Sequence, residues 1–200
     1  MKLGLKRGVV KVVRYDPGWP KEFQKEKKRL KGLLGRTARV IEHVGSTSIP
    51  GMPAKPILDI QLAVASFQVV PGLRAVLERH GYIYRGSAFR GQRLFVKGPE
   101  ARRTHHLHVM ISNSKVWKKA ILFRDYLIKD RASFDGYVQL KQGLARKFPS
   151  NRGSYTNGKT AFVKKVVRLA SRKTVSARSP LLGSVYSAKA HKREVENGDK

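Results

Sequence analysis

Residues 43–61 read HVGSTSIPGMPAKPILDIQ and gather side chains that can do chemistry. Gly45 permits a close backbone turn, and Ser46, Thr47 and Ser48 place three hydroxyls beside backbone N–H groups. Such a turn can hold a phosphate. Pro50, Pro53 and Pro56 stiffen the next stretch, and Lys55 adds a positive charge. PILDIQLAV (56–64) then reads as a nearly apolar strand of the sheet interior. Asp59 and Gln61 share one face of it, because strand side chains alternate with period two. Two carboxylates at that spacing hold Mg²⁺ against a triphosphate. Here the second position is Gln61, which hydrogen-bonds but brings no charge. Glu42, just before the turn, is the acid expected to share the cleft, so Asp59 and Glu42 are the expected Mg²⁺ ligands. That cage is thin. A phosphate or nucleotide pocket without transfer activity competes with a working enzyme.

A second cluster is RRTHHLHVMI, where His106 and His108 fall on one face of a strand and His105 on the other. Three roles stay open for the pair: metal ligation through neutral imidazole, phosphate contact, or proton transfer. Lining a cleft beside Asp59 is the expected placement. FRDYL puts Arg124 on a helix whose other face is core, from which it can reach a ligand. Lys141 and Lys159 each follow a tyrosine by four residues, Tyr137 and Tyr155. They can close a phosphate pocket from the helical side, or lie as surface lysines with their stems across those rings.

These groups need elements to hold them. VVKVVRY (9–15) reads as an opening strand, and DPGWPKEFQKEKKRLKGLLG as a helix capped by Asp16 and ended by Gly35. ARVIEHV (38–44) is a strand, VPGLRAVLERHG (70–81) a short helix, and RLFVKG (93–98) with HHLHVMI (105–111) a hairpin. Helices follow at 115–130, 134–148 and 157–173. The pattern is α+β, a small mixed sheet followed by a helical run. Apolar periodicity fades near the end, so the chain divides into a domain of residues 1–172 and a basic, flexible tail of 173–200.

The order of these motifs resembles a known family. IEHVGSTSIPGMPAKPILDI is similar to the signature of the GrpB family (the UPF0157 proteins), and YDPGWPKEF to that family's opening. HGY at 80–82, HLHV at 106–109, FRDYL and the two Tyr…Lys pairs fall in the family's order, over roughly residues 9–170. The resemblance implies a nucleotidyltransferase-like fold: a mixed β-sheet flanked by helices, with the Gly-Ser loop beside the metal-binding strand. It implies no particular substrate. Active members of the wider superfamily use a carboxylate pair on one strand and usually a third acid from a neighbouring strand. The two strand runs at 93–98 and 105–111 contain no acid, so the set is incomplete.

Composition bounds the partners. The 200 residues carry 43 Lys and Arg against 13 Asp and Glu, a net charge of +30. Most of that excess lies in the body of the chain rather than the tail. Two readings follow. Either a nucleotide or phosphorylated small molecule binds at the Gly-Ser loop, or a non-catalytic protein associates with nucleic acid through salt-sensitive, sequence-indifferent contacts. There is no cysteine, which excludes disulfides and thiolate metal sites. No apolar run approaches the roughly 20 residues that span a bilayer, and the expected location is cytoplasmic.

Overall fold

The computed structural model describes residues 3–87 and 91–176. Its apolar runs form five strands: β1 (Val40–Val44), β2 (Leu58–Val64), β3 (Tyr82–Tyr84), β4 (Gln92–Lys97) and β5 (His105–Ile111). They make one sheet in the order β1-β2-β5-β4-β3. β2 and β5 are parallel, and every other neighbouring pair is antiparallel. The mixed sheet of an α+β chain is as expected. Its register decides the site. Val44 lies opposite Asp59 and Glu42 opposite Gln61, while Asp59 pairs with His106 and Gln61 with His108. Residues opposite one another across a ladder share a face, so Asp59, His106 and His108 all project to the same side.

Among the described residues six helices accompany the sheet: α1 (Trp19–Leu34), α2 (Val70–Arg79), α3 (Lys115–Lys129), α4 (Arg131–Lys147), α5 (Arg152–Gly158) and α6 (Thr160–Ser176). On one face, Trp19, Phe23 and Leu30 of α1 and Leu73 and Leu77 of α2 pack with Ile60, Leu62, Phe95 and Leu107. Each such side chain contributes roughly 1.5–3 kcal/mol by leaving water. On the other face, Trp117 of α3 covers Ala63 and Met110. Ile49 and Met52, in the loop after β1, pack with Phe123, Leu127, Tyr137 and Val166 of α3, α4 and α6. The helical run therefore pins the loop that carries the Gly-Ser turn. No helix is long and apolar enough to cross a membrane among the described residues.

Several elements differ from expectation. Residues 9–15 form no strand. The N-terminal segment makes two isolated bridges instead, Leu5 with Arg103 and Val13 with Ala54, whose partners lie in the loops ahead of β5 and β2 rather than on a strand. β2 starts at Leu58 rather than Pro56, which has no N–H for a ladder. β3 and α5 were not foreseen. α5 reads RGSYTNG, a poor helix former, and is held by the Asn151 cap on Ser154 N and by buried Tyr155. α6 runs Thr160–Ser176, where a helix over 157–173 is expected. From residue 177 onward the expected tail lies outside the described residues.

Candidate functional site

Gly45 sets the approach of the turn to the strand. Its φ of +70° favours glycine, and a Cβ placed there would lie 2.6 Å from Asp59 Oδ2. The three hydroxyls then part company. Thr47 is buried, and its Oγ1 pairs with His43 Nε2 at 3.0 Å. Ser48 Oγ donates to Gly45 O at 2.6 Å, which closes the turn on itself. Ser46 lines the cleft above Asp59. His43 is kept neutral: burial pushes its pKa down to about 4, and Arg124 adds to the effect against Asp59.

Asp59 is the centre of the cleft. Its Oδ1 lies 2.9 Å from His106 Nδ1 and 3.7 Å from His108 Nε2. One ligand atom from each of the three residues falls within 4.8 Å of the others. Burial raises the Asp59 carboxyl, but hydrogen bonding with His106 and His108 outweighs it and holds the pKa well below the usual range. Arg152 settles the His106 tautomer. Its Nη2 lies 3.2 Å from His106 Nε2, and a guanidinium only donates. Nε2 therefore accepts, and the ring proton sits on Nδ1, directed at Asp59. Burial lowers the His106 pKa against the pull of Asp59, which keeps the ring neutral. His108 Nδ1 lies 3.2 Å from Gln92 Oε1 and donates to it. That turns His108 Nε2 toward the Asp59 carboxylate, so an imidazole nitrogen and a carboxylate oxygen converge on one point.

The opposite wall is basic. Arg152, Tyr155, Thr156 and Lys159 face the cleft from α5 and its C-terminal end, and Lys55 faces it from the proline loop. The cleft encloses about 170 Å³. Lys55 and Lys159 straddle the Tyr155 ring, with Nζ atoms 5.4 and 4.4 Å from its centroid. Burial pushes both ammonium groups down to about 8; repulsion from Arg152 adds to this, and Asp59 opposes it. Burial likewise pushes the Tyr155 phenol up to about 12, which keeps it a donor.

The structure gathers Gly45, Ser46, Thr47, Lys55, Asp59, His106, His108 and Lys159 of the expected set. Ser48, Glu42, Gln61, Arg124 and Lys141 are engaged elsewhere. Glu42 is expected beside Asp59 as a metal ligand, but its carboxylate accepts from Arg124 Nη1 at 2.9 Å and lies outside the Asp59–His106–His108 cluster. Arg124 is not free for a ligand: it also donates to His43 O and Asp125. Gln61 is 1% exposed beneath α3, its Nε2 on Met110 Sδ at 3.3 Å. Lys141 is neither a cleft cation nor a surface lysine. It is 1% exposed and donates to Pro53 O behind the loop, with its pKa pushed down to about 7 by burial and then by Lys159. Sequence reasoning missed Arg152 and Gln92. Arg152, Tyr155, Thr156 and Lys159 follow an i, i+3, i+4, i+7 spacing, so Arg152 was legible once 152–158 was read as helix.

The chain matches the family model described as GrpB protein over residues 9–169. The Glutamate-rich protein GrpB of Alkalihalophilus pseudofirmus is 35% identical over 170 residues, 82% of this chain and 98% of that protein. The UPF0157 protein YqkA of Bacillus subtilis is 35% identical over 164 residues, 82% of this chain, and the chain spans only 48% of that relative's length. The crystal structure of conserved protein GrpB from Enterococcus faecalis superposes with a TM-score of 0.76 at 36% identity, covering 82% of this chain and 99% of that one. A model match over most of the chain, relatives above 30% identity and a solved structure of the same fold agree: this chain belongs to the GrpB family.

Proposed function

We propose that the cleft binds the phosphate of a phosphorylated ligand, a nucleotide among the candidates, together with one divalent cation. The convergence of three basic side chains on a carboxylate flanked by two imidazoles carries this reading. Lys55, Arg152 and Lys159 would take phosphate oxygens, with Ser46 and Tyr155 as neutral donors. The donor set does not fit the two-carboxylate Mg²⁺ cage that a nucleotidyl transfer site implies. Gln61 is buried, and Glu42 is engaged by Arg124. One carboxylate oxygen with imidazole nitrogen fits a cation that accepts nitrogen, such as Mn²⁺ or Zn²⁺. Asp59 Oδ1 and His108 Nε2 would hold it. His106, fixed by Arg152, would orient the carboxylate from the side. Bound there, the cation would neutralise phosphate charge. The supported activity is therefore binding, and transfer chemistry is not part of the proposal.

Titration with ATP in the presence of Mn²⁺, Mg²⁺ or EDTA tests this. Binding is expected to be tightest with Mn²⁺ and to weaken at least tenfold in Asp59→Asn and in Lys159→Ala. No nucleotide or phosphate binding under any of the three conditions would overturn the proposal. A second reading, nucleic-acid association, is favoured by the net charge of +30.

A further inference from the structure

Beside the cleft lies a larger cavity of about 440 Å³, and the two share His106, Arg152 and Thr156 in their linings. Leu94 and Val96 of β4 also line it, along with Arg7, Arg85, Arg103 and Arg152. Among the described residues, the ion pairs of this cluster all run to one carboxylate. Glu100 Oε1 lies 2.8 Å from Arg7, 3.1 Å from Arg85 and 3.5 Å from Arg103. Positive charge is therefore in excess, and like charges crowd one another.

Arg103 is the informative member. Its side chain is 3% exposed, and its Nη1 donates to Gly98 O. Its Nη2 is buried and makes no hydrogen bond. Glu100, at 3.5 Å, supplies charge attraction without hydrogen-bond geometry. A buried guanidinium N–H without an acceptor is costly, and native proteins keep few such groups. The backbone holds it in place, because Arg103 N and O both pair with Leu5. Arg85 is similarly fixed, its N donating to Leu94 O at 2.8 Å. Firmly placed guanidinium groups with one unmet donor suit a tetrahedral oxyanion, which accepts several N–H groups at once.

We infer that the arginine-lined cavity is a second phosphate subsite, separate from the Asp59 cleft and continuous with it. It extends the phosphorylated-ligand reading: a ligand with two phosphate groups could place one in each cavity. The subsite itself needs no cation on Asp59, so its test is run without metal.

Inorganic phosphate is the probe, titrated in EDTA at low chloride and followed by ³¹P NMR. The wild-type protein is expected to bind two phosphates per chain. Arg7→Ala/Arg85→Ala, which alters exposed side chains, should weaken one of the two sites at least tenfold with an unchanged melting temperature. Lys55→Ala/Lys159→Ala should weaken the other and leave the first. Lys28→Ala/Lys31→Ala on exposed α1 removes equal charge elsewhere and should change neither. Arg103→Lys should weaken the arginine site more than the cleft. The inference is overturned if the Arg7/Arg85 variant binds as the α1 control does, or if the Lys55/Lys159 variant loses all phosphate binding. Phosphate retained in the arginine cavity but absent from the cleft in EDTA and with added Mn²⁺ or Mg²⁺ alike would instead overturn the proposed function alone.

Discussion

At the scale of single residues, the cleft depends on who has already been claimed. Asp59, His106 and His108 were legible because strand periodicity fixes which side chains share a face. Thr47, Ser48 and Arg124 were not, because their partners His43, Gly45 O and Glu42 are chosen by tertiary neighbours. Gly45 links turn and strand. Gly45→Ala would press a Cβ against the Asp59 carboxylate and strain the backbone by about 1–3 kcal/mol. We expect it to weaken Mn²⁺-dependent nucleotide binding at least tenfold with a modest fall in melting temperature; unchanged binding would refute the coupling. Lys55 and Lys159 give a second test. With pKa values near 8, both are largely neutral at pH 9 and should gain protons when phosphate binds. Calorimetry in buffers of different ionisation enthalpy should show net proton uptake at pH 9 and much less at pH 6.5. Equal uptake at both would argue against lysine contact with the phosphate.

At the scale of elements, periodicity found the long helices and the central strands but not the short ones. β3 has three residues and α5 has seven, too few for a pattern, and both depend on packing around Tyr82 and Tyr155. The apolar face of α1 was legible, whereas Glu26 within it was not. Its carboxylate accepts from Tyr82 Oη at 2.8 Å and Lys97 Nζ at 2.6 Å, tying α1 to β3 and β4. Burial raises the Glu26 pKa, but the hydrogen bond and charge of Lys97 outweigh it and leave it lowered. Removing one partner strands the other. Lys97→Met should destabilise by roughly 3 kcal/mol, and the double variant Glu26→Leu/Lys97→Met by less. Urea unfolding of the pair and the two single variants measures this, and additive losses would show that the two groups do not interact.

At the scale of the whole molecule, burial lowers three lysines below the ordinary value of 10.5: Lys141 to about 7, and Lys55 and Lys159 to about 8. The unfolded chain keeps these protons to about pH 10.5, whereas the folded one releases them from about pH 7 to 8. The unfolded state binds more protons across that window, so stability should rise with pH, by at most about 1.4 kcal/mol per unit for each lysine. Lys141→Met should flatten the lower part of the rise, measured as urea midpoints from pH 6.5 to 10. The fold also has a chronology. The sheet and its Asp59–His106–His108 cluster are fully encoded by Ile111, whereas Arg152, Tyr155 and Lys159 come from α5 and its C-terminal end, far later in the chain. During synthesis, a nascent chain would carry Asp59, the two imidazoles and Lys55 before Arg152, Tyr155 and Lys159 exist. The cleft's full grip on an anion would arrive only as α5 and Lys159 emerge, which makes ligand capture there a later event than folding of the sheet.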